Sequence, residues 1–117
     1  MKKSIEEIAV TTGRYSPAAF KFVYEGLGYT VQTITKEPQH VSGQTLCEGL
    51  RRMALERYGR LAGLVLKSWG IETTRDFGEI VYALIDCEWM SAQPTDTIDD
   101  FNTVYDFDTA FKDQFTF

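Results

Sequence analysis

The chain has few of the residues that build covalent or metal-linked scaffolds. Its 117 residues include 2 Cys, Cys47 and Cys87, and 1 His, His40. Two cysteines exclude a disulfide-rich scaffold and a four-cysteine zinc site. One histidine and two cysteines 40 residues apart also lack the spacing of a metal site. We therefore expect no metal, no cofactor and no catalytic cysteine centre.

Long apolar runs are missing as well. The apolar stretch from Leu61 to Leu66 is six residues long and is bounded by Arg60 and Lys67, whereas a membrane-spanning helix needs about 20 residues. The N-terminal residues begin with two lysines but turn acidic at Glu6, without the apolar core of a signal peptide. These features predict no membrane contact and a cytoplasmic location.

The composition is otherwise that of one globular domain. Hydrophobic residues make up 44% and charged residues 25% of the chain, which argues against intrinsic disorder. A chain of this length accommodates one domain of ordinary size. We therefore predict a single domain over residues 1–117.

Charge is distributed unevenly along the chain. Residues 1–71 hold 10 Lys+Arg and 6 Asp+Glu, whereas residues 72–117 hold 2 and 11, for a total of -5 and a pI of about 4.8. Either the two halves form solvated faces of one domain, or faces that meet in the fold. The alternative is a basic binding surface with an acidic tail that mimics a partner.

Start signals and apolar spacing predict a mostly α-helical fold of five or six helices. Ser4 with Glu7 is typical of a capping box, Ser16 precedes Pro17, and Gly59 suits a helix end. Further helices are expected to begin at Ser42 and at Thr73 or Thr74, and the helices over 43–58 and 60–69 to form a central pair. Residues 29–35 fit a helix or a short strand. The residues predicted to be buried on the apolar helix faces are Leu50, Leu64, Leu66, Ile80, Val81 and Leu84.

The C-terminal segment, about residues 95–117, is acidic and aromatic. Phe107, Phe111 and Phe115 recur at helical spacing. We expect the segment to pack on the helical domain through its aromatic side chains, because exposed phenylalanines are unfavourable. A mobile acidic tail that binds a basic partner is the competing interpretation.

Three groups of residues are candidates for function. His40 and Cys47 have the chemistry of a nucleophilic pair, but Cys47 lies on an apolar helix face, where a cysteine serves as a small core residue. Ser42 opens a helix whose N-terminus suits an anion, but a plain N-cap is the favoured explanation. The candidate basic surface spans two consecutive helices and consists of Arg51, Arg52, Arg57, Arg60 and Lys67.

The basic residues have a local explanation too. Glu48 stands four residues before Arg52, and Glu56 stands four before Arg60, which is the favourable order for helix-stabilising ion pairs. Asp76 and Glu79, in the first turn of a helix, suit the helix dipole. The acidic pI disfavours a general nucleic-acid binder.

Several motifs along the chain resemble one known family. They include 40–44 (HVSGQ), 48–51 (EGLR), 69–71 (WGI), 76–81 (DFGEIV) and 104–107 (VYDF). From Tyr15 to Phe111 the chain resembles a family of uncharacterised small proteins restricted to planctomycetes, verrucomicrobia and their relatives. The resemblance implies a small soluble bacterial protein that stands alone as a domain, and it implies no activity and no site residue.

Three function classes follow from these features. The first is a non-enzymatic module that binds an unidentified protein partner through a surface containing His40, Ser42, Arg51, Arg52, Arg57 and Arg60. The second is a helical module that binds nucleic acid through the five basic residues. An enzyme would require a deep pocket containing His40 or paired acids.

Overall fold

The described structure, a computed structural model, covers residues 2–35 and 41–112, with Lys112 described by its backbone alone. Its α-helices are α1 (Ile5–Thr12), α2 (Pro17–Thr30), α3 (Gly43–Tyr58), α4 (Ala62–Ser68), α5 (Thr74–Asp86) and α6 (Phe107–Lys112). A π-helical turn, Val31–Thr35, extends α2, and 3-10 turns span Gly59–Leu61 and Ile98–Phe101. The described residues contain no strand, so the mostly α prediction is confirmed and the strand alternative for 29–35 is wrong.

The helix starts follow the capping chemistry of the sequence, with one exception. Ser4 and Thr73 each form a complete capping box, Thr73 with Asp76 as its third-position acid. Ser16 directly precedes Pro17 at the start of α2, as predicted, but its hydroxyl makes no cap. The Ser16 hydroxyl is buried and has no hydrogen-bond partner among residues 2–35 and 41–112. Ser16 is therefore the N-cap residue by position, as predicted, but its side chain forms no capping hydrogen bond.

Helices α2 and α3 pack closely because glycines line their contact. A Cβ at Gly49 would lie 1.7 Å from Thr30 Oγ1, and a Cβ at Gly26 would lie 2.2 Å from Leu50 Cδ2. The buried Thr30 hydroxyl donates to the carbonyl of Gly26 at 2.7 Å, which satisfies it within its own helix. Larger residues at these two glycines would force the helices apart.

The core lies between α2, α3 and α5. Five of the six residues predicted to be buried are buried: Leu50, Leu66, Ile80, Val81 and Leu84. The radius of gyration is 13.7 Å, and a compact domain of this length is expected to have about 13 Å. The helices thus form a single compact domain, as the sequence predicts.

The structure departs from the sequence prediction at α4. This helix is shorter than the predicted 60–69 span, and only Ala62 and Leu66 of its residues are fully buried. Leu61 is 56% exposed and Leu64 is 66% exposed. The prediction that Leu64 is buried is wrong, because a short helix that is apolar on every side can bury only the side that faces its neighbours.

Hydrogen bonds join the C-terminal segment to α5 and α3. The Thr74 hydroxyl donates to the carbonyl of Phe101 at 2.7 Å and accepts from the N–H of Val104 at 3.1 Å. The Tyr105 hydroxyl donates to the carbonyl of Cys47 at 2.8 Å. Residues 113–117 of the predicted 95–117 segment lie outside the described residues.

The ring of Phe101 occupies a socket made by two glycines. A Cβ at Gly78 on α5 would lie 2.9 Å from Phe101 Cβ and Cγ, and a Cβ at Gly43 on α3 would lie 3.0 Å from Phe101 Cε1. Phe101 is buried. The socket brings the 3-10 turn over 98–101 against two helices at once.

Candidate functional site

An open groove lies between α4 and α6 and has a volume of about 630 Å³. One wall comes from α4 and the 3-10 turn before it: Arg60, Gly63, Leu64 and Lys67. The other residues that line the groove come from the α4–α5 connection and from α6: Ile71, Glu72, Phe107, Asp108 and Phe111. The α4–α6 groove is therefore an apolar channel with charged side chains at its edges.

The backbone of α4 lies close to Phe111 at Gly63, which has no side chain. A Cβ at Gly63 would lie 3.5 Å from Phe111 Cβ, which is ordinary contact. The two walls thus approach at Gly63, while Leu64 next to it projects into solvent. An exposed leucine beside an apolar channel marks a surface that can bury further apolar area.

The α6 wall is held by aromatic rings that contact one another in tilted and edge-to-face arrangements. The Phe107 ring lies 5.0 Å from Phe111, 5.9 Å from Tyr105 and 5.6 Å from Phe77, measured between ring centroids. Asp106 begins the helix, accepting from the N–H of Asp108 at 2.8 Å. Ring contacts at these distances orient the side chains, so this wall has a defined shape.

Four charged side chains at the groove make no ion pair within the described residues. Lys67 belongs to α4 and Arg60 to the 3-10 turn before it, whereas Asp108 belongs to α6. Glu72, in the α4–α5 connection, also lines a second pocket together with Asp108. Among residues 2–35 and 41–112 none of the four joins a salt bridge or a side-chain hydrogen bond. Their charges are available to a ligand.

The other members of the predicted basic surface pair with acids, and two of them share one carboxylate. Arg51 donates to both oxygens of Glu48, at 2.9 and 2.8 Å, and Arg52 donates to the same carboxylate at 2.8 Å. The hydrogen bond from Arg51 is the main reason that the pKa of Glu48 is lowered. Arg57 donates to Glu25 on α2 at 2.8 Å.

One predicted ion pair does not form. Glu56 was expected to pair with Arg60, but its carboxylate accepts a 2.6 Å hydrogen bond from the hydroxyl of Tyr29 on α2. That hydrogen bond is the main reason that the pKa of Tyr29 is raised. Arg60 is thereby left without its local partner and lies at the groove.

The predicted pair of His40 and Cys47 gains no support. His40 lies outside the described residues. Cys47 is fully buried, and burial raises the pKa of its thiol to about 12, which opposes nucleophilic thiolate chemistry. Ser42 serves as the N-cap of α3, accepting from the N–H of Thr45 at 3.1 Å.

A buried polar cluster surrounds Asp76, and the sequence pattern predicts only the part of it that caps α5. The capping role follows from the local pattern, but Asp76 also accepts from Tyr15 at 2.5 Å and from Arg14 at 3.0 Å. Its second oxygen accepts from the N–H groups of Glu72 and Thr73. Burial is the main reason that the pKa of Tyr15 is raised. Every partner of the carboxylate is structural, so the cluster ties the α1–α2 turn to α5.

The described part of the chain holds no helix long and apolar enough to span a membrane. Within the same residues no group of three or more His, Cys, Asp or Glu is arranged to hold a metal ion. Family models, curated proteins and solved structures give no match to this chain.

Proposed function

We propose that this chain is a small non-enzymatic interaction module that binds a segment of a partner protein in the α4–α6 groove. The observation that carries the proposal is that Leu64, which lines the apolar channel, is largely exposed, and that Leu61, three residues earlier, is exposed too. A small domain that leaves two neighbouring leucines in solvent gains free energy when a partner covers them. Leu64 lines the channel, so a segment lying there would cover it.

The chemistry of the titratable residues supports binding rather than catalysis. Asp76 is saturated with structural hydrogen bonds, and the thiol of Cys47 is buried with a raised pKa. Catalytic acids, bases and nucleophiles need a pKa near the working pH and access to substrate. Neither residue meets both requirements.

The ion pairs disfavour nucleic acid as the ligand. Three of the five residues of the predicted basic surface, Arg51, Arg52 and Arg57, have their charges paired with Glu48 or Glu25. Phosphate contacts need cations that are free to replace bound counterions. Arg60 and Lys67 remain, and they share the groove with two acidic side chains.

Site-specific photocrosslinking tests the proposal. A photoreactive benzophenone side chain replaces Leu64 in one variant and Val10 in a matched control, because Val10 on α1 is 82% exposed and lies outside the groove. Irradiation in cells is expected to join position 64, and not position 10, to one protein. The protein that the crosslink identifies is then produced separately, and its direct binding to the chain is measured by calorimetry.

Two results would contradict the proposal. One is a crosslink from position 64 to nucleic acid, with an affinity that falls steeply as salt rises. The other is the same set of crosslinked proteins at both positions, which indicates exposure rather than recognition.

A further inference from the structure

The α4 wall carries two cations that match a particular kind of partner. Arg60, in the 3-10 turn that leads into α4, and Lys67, on α4, both line the groove and are seven residues apart. A rise of about 1.5–2.0 Å per residue places them about 10–14 Å apart along the helix axis. Leu64 lies between them. Neither cation pairs with an acid in the part of the chain that the structure describes.

We infer that the segment bound in the α4–α6 groove is an acidic amphipathic helix, an inference that depends on the function proposed above. A helix that docks in a groove places apolar residues at i, i+3, i+4 and i+7 on the buried side. Carboxylates seven residues apart on the edge of that side lie about 10 Å apart along the helix axis, within reach of the long side chains of Arg60 and Lys67. They pair with the two cations while the apolar residues cover Leu64.

The opposite edge of the groove sets the orientation of the helix. Glu72 and Asp108 line that edge and repel acids, so the side of the bound helix that faces α6 carries neutral or basic residues. A uniformly anionic polymer would meet this repulsion along its whole length, and a segment with acids on one edge avoids it. The charges of the groove thereby select a protein segment with acids along a single edge.

Two synthetic peptides test the inference on the full chain. Both are amphipathic helices of about 16 residues with leucines at i, i+3, i+4 and i+7, and they differ only along one edge, which carries glutamates in one and glutamines in the other. Fluorescence anisotropy with labelled peptides measures the affinities. The glutamate peptide is expected to bind about tenfold more tightly in about 0.05 M salt and to lose most of that preference in about 0.5 M salt.

Charge reversal assigns the preference to the two cations. The variant Arg60→Glu/Lys67→Glu is expected to lose this preference and to bind the glutamine peptide at least as tightly as the glutamate peptide. The matched control Lys3→Glu/Lys21→Glu makes the same change in net charge at exposed positions outside the groove, and it is expected to keep most of the preference for the glutamate peptide.

Several results would overturn the inference. Equal affinities for the two peptides, or no binding of either, would do so, and a partner crosslinked from position 64 would still support the proposed function. A second copy is the occupant if the chain dimerises in sedimentation and Leu64→Asp abolishes the dimer. The chain's own residues 113–117 are the occupant if truncation after Lys112 raises the affinity for the glutamate peptide by tenfold or more.

Discussion

The socket of Phe101 predicts that Gly78→Ala destabilises the fold, although alanine favours a helix more than glycine does. Phe101 is buried between Gly43 and Gly78. Phe101→Ala removes the ring and leaves a cavity, so we expect it to lower the free energy of unfolding by about 3–5 kcal/mol. Gly78→Ala is expected to lower it too, because the new Cβ would meet Phe101 atoms at 2.9 Å. Overpacking of this kind costs about 1–3 kcal/mol, which exceeds the gain of up to about 1 kcal/mol in helix propensity.

The double variant isolates the contact. Phe101→Ala removes the close contacts with Cγ and Cδ1 but keeps Cβ at 2.9 Å, so Gly78→Ala is expected to cost less in that background than in the natural chain. The two substitutions should therefore be coupled by about 0.5 kcal/mol or more, in the favourable direction. Urea unfolding followed by circular dichroism measures the four free energies. Additive effects, or a loss below about 0.5 kcal/mol for Phe101→Ala, would refute the socket and favour a mobile C-terminal segment.

Two further predictions concern Asp76 and Cys47. Asp76→Ala removes the acid of the Thr73 capping box and leaves the buried Tyr15 hydroxyl without its acceptor. We expect the free energy of unfolding, measured in urea, to fall by about 2–4 kcal/mol. The control Glu79→Ala loses only an exposed ion pair with Arg75 and should cost less than about 1 kcal/mol. Burial raises the pKa of the Cys47 thiol from 9.0 to about 12, so above pH 9 the thiol ionises in the unfolded chain before it does in the folded one. The stability that the buried thiol contributes is therefore full below pH 9 and is lost as the pH rises toward 12. Between about pH 9 and 10 the free energy of unfolding should fall about 1 kcal/mol more for the natural chain than for Cys47→Ala.

Other outcomes would contradict these two predictions. Equal losses for the two acidic substitutions would mean that the partners of Asp76 contribute no stability. Parallel pH profiles for the natural chain and Cys47→Ala, or rapid labelling of Cys47 by a thiol reagent in the folded protein, would mean that the thiol is accessible.

Features governed by neighbouring residues follow well from the sequence. The capping box of Ser4 and the end of α3 at Gly59 depend on a few adjacent residues, so local patterns predict them. The buried faces of α3 and α5 follow from their apolar spacing. Ser16 is the exception, since its hydroxyl is buried without a cap hydrogen bond in the described residues.

Features governed by distant contacts do not follow. The sequence carries no signal that Tyr29 reaches Glu56, which frees Arg60 for the groove. A helix that is apolar on every side gives no indication of which side its neighbours cover. The sequence therefore predicts that Leu64 is buried, whereas it is exposed at the groove. The candidate site depends on these two contacts between helices, and sequence reasoning could therefore name Arg60 and Lys67 without locating the groove.

The most direct test of the groove is the affinity of the partner identified by crosslinking, purified without the crosslink, for three forms of the chain. Leu64→Asp places a charge where an apolar contact is expected, so the dissociation constant should rise about tenfold or more. Val10→Asp makes the same change on α1 and should leave it unchanged, and both variants should keep the thermal midpoint of the natural chain because both side chains are exposed. Equal dissociation constants for all three forms would contradict a partner-binding site in the α4–α6 groove.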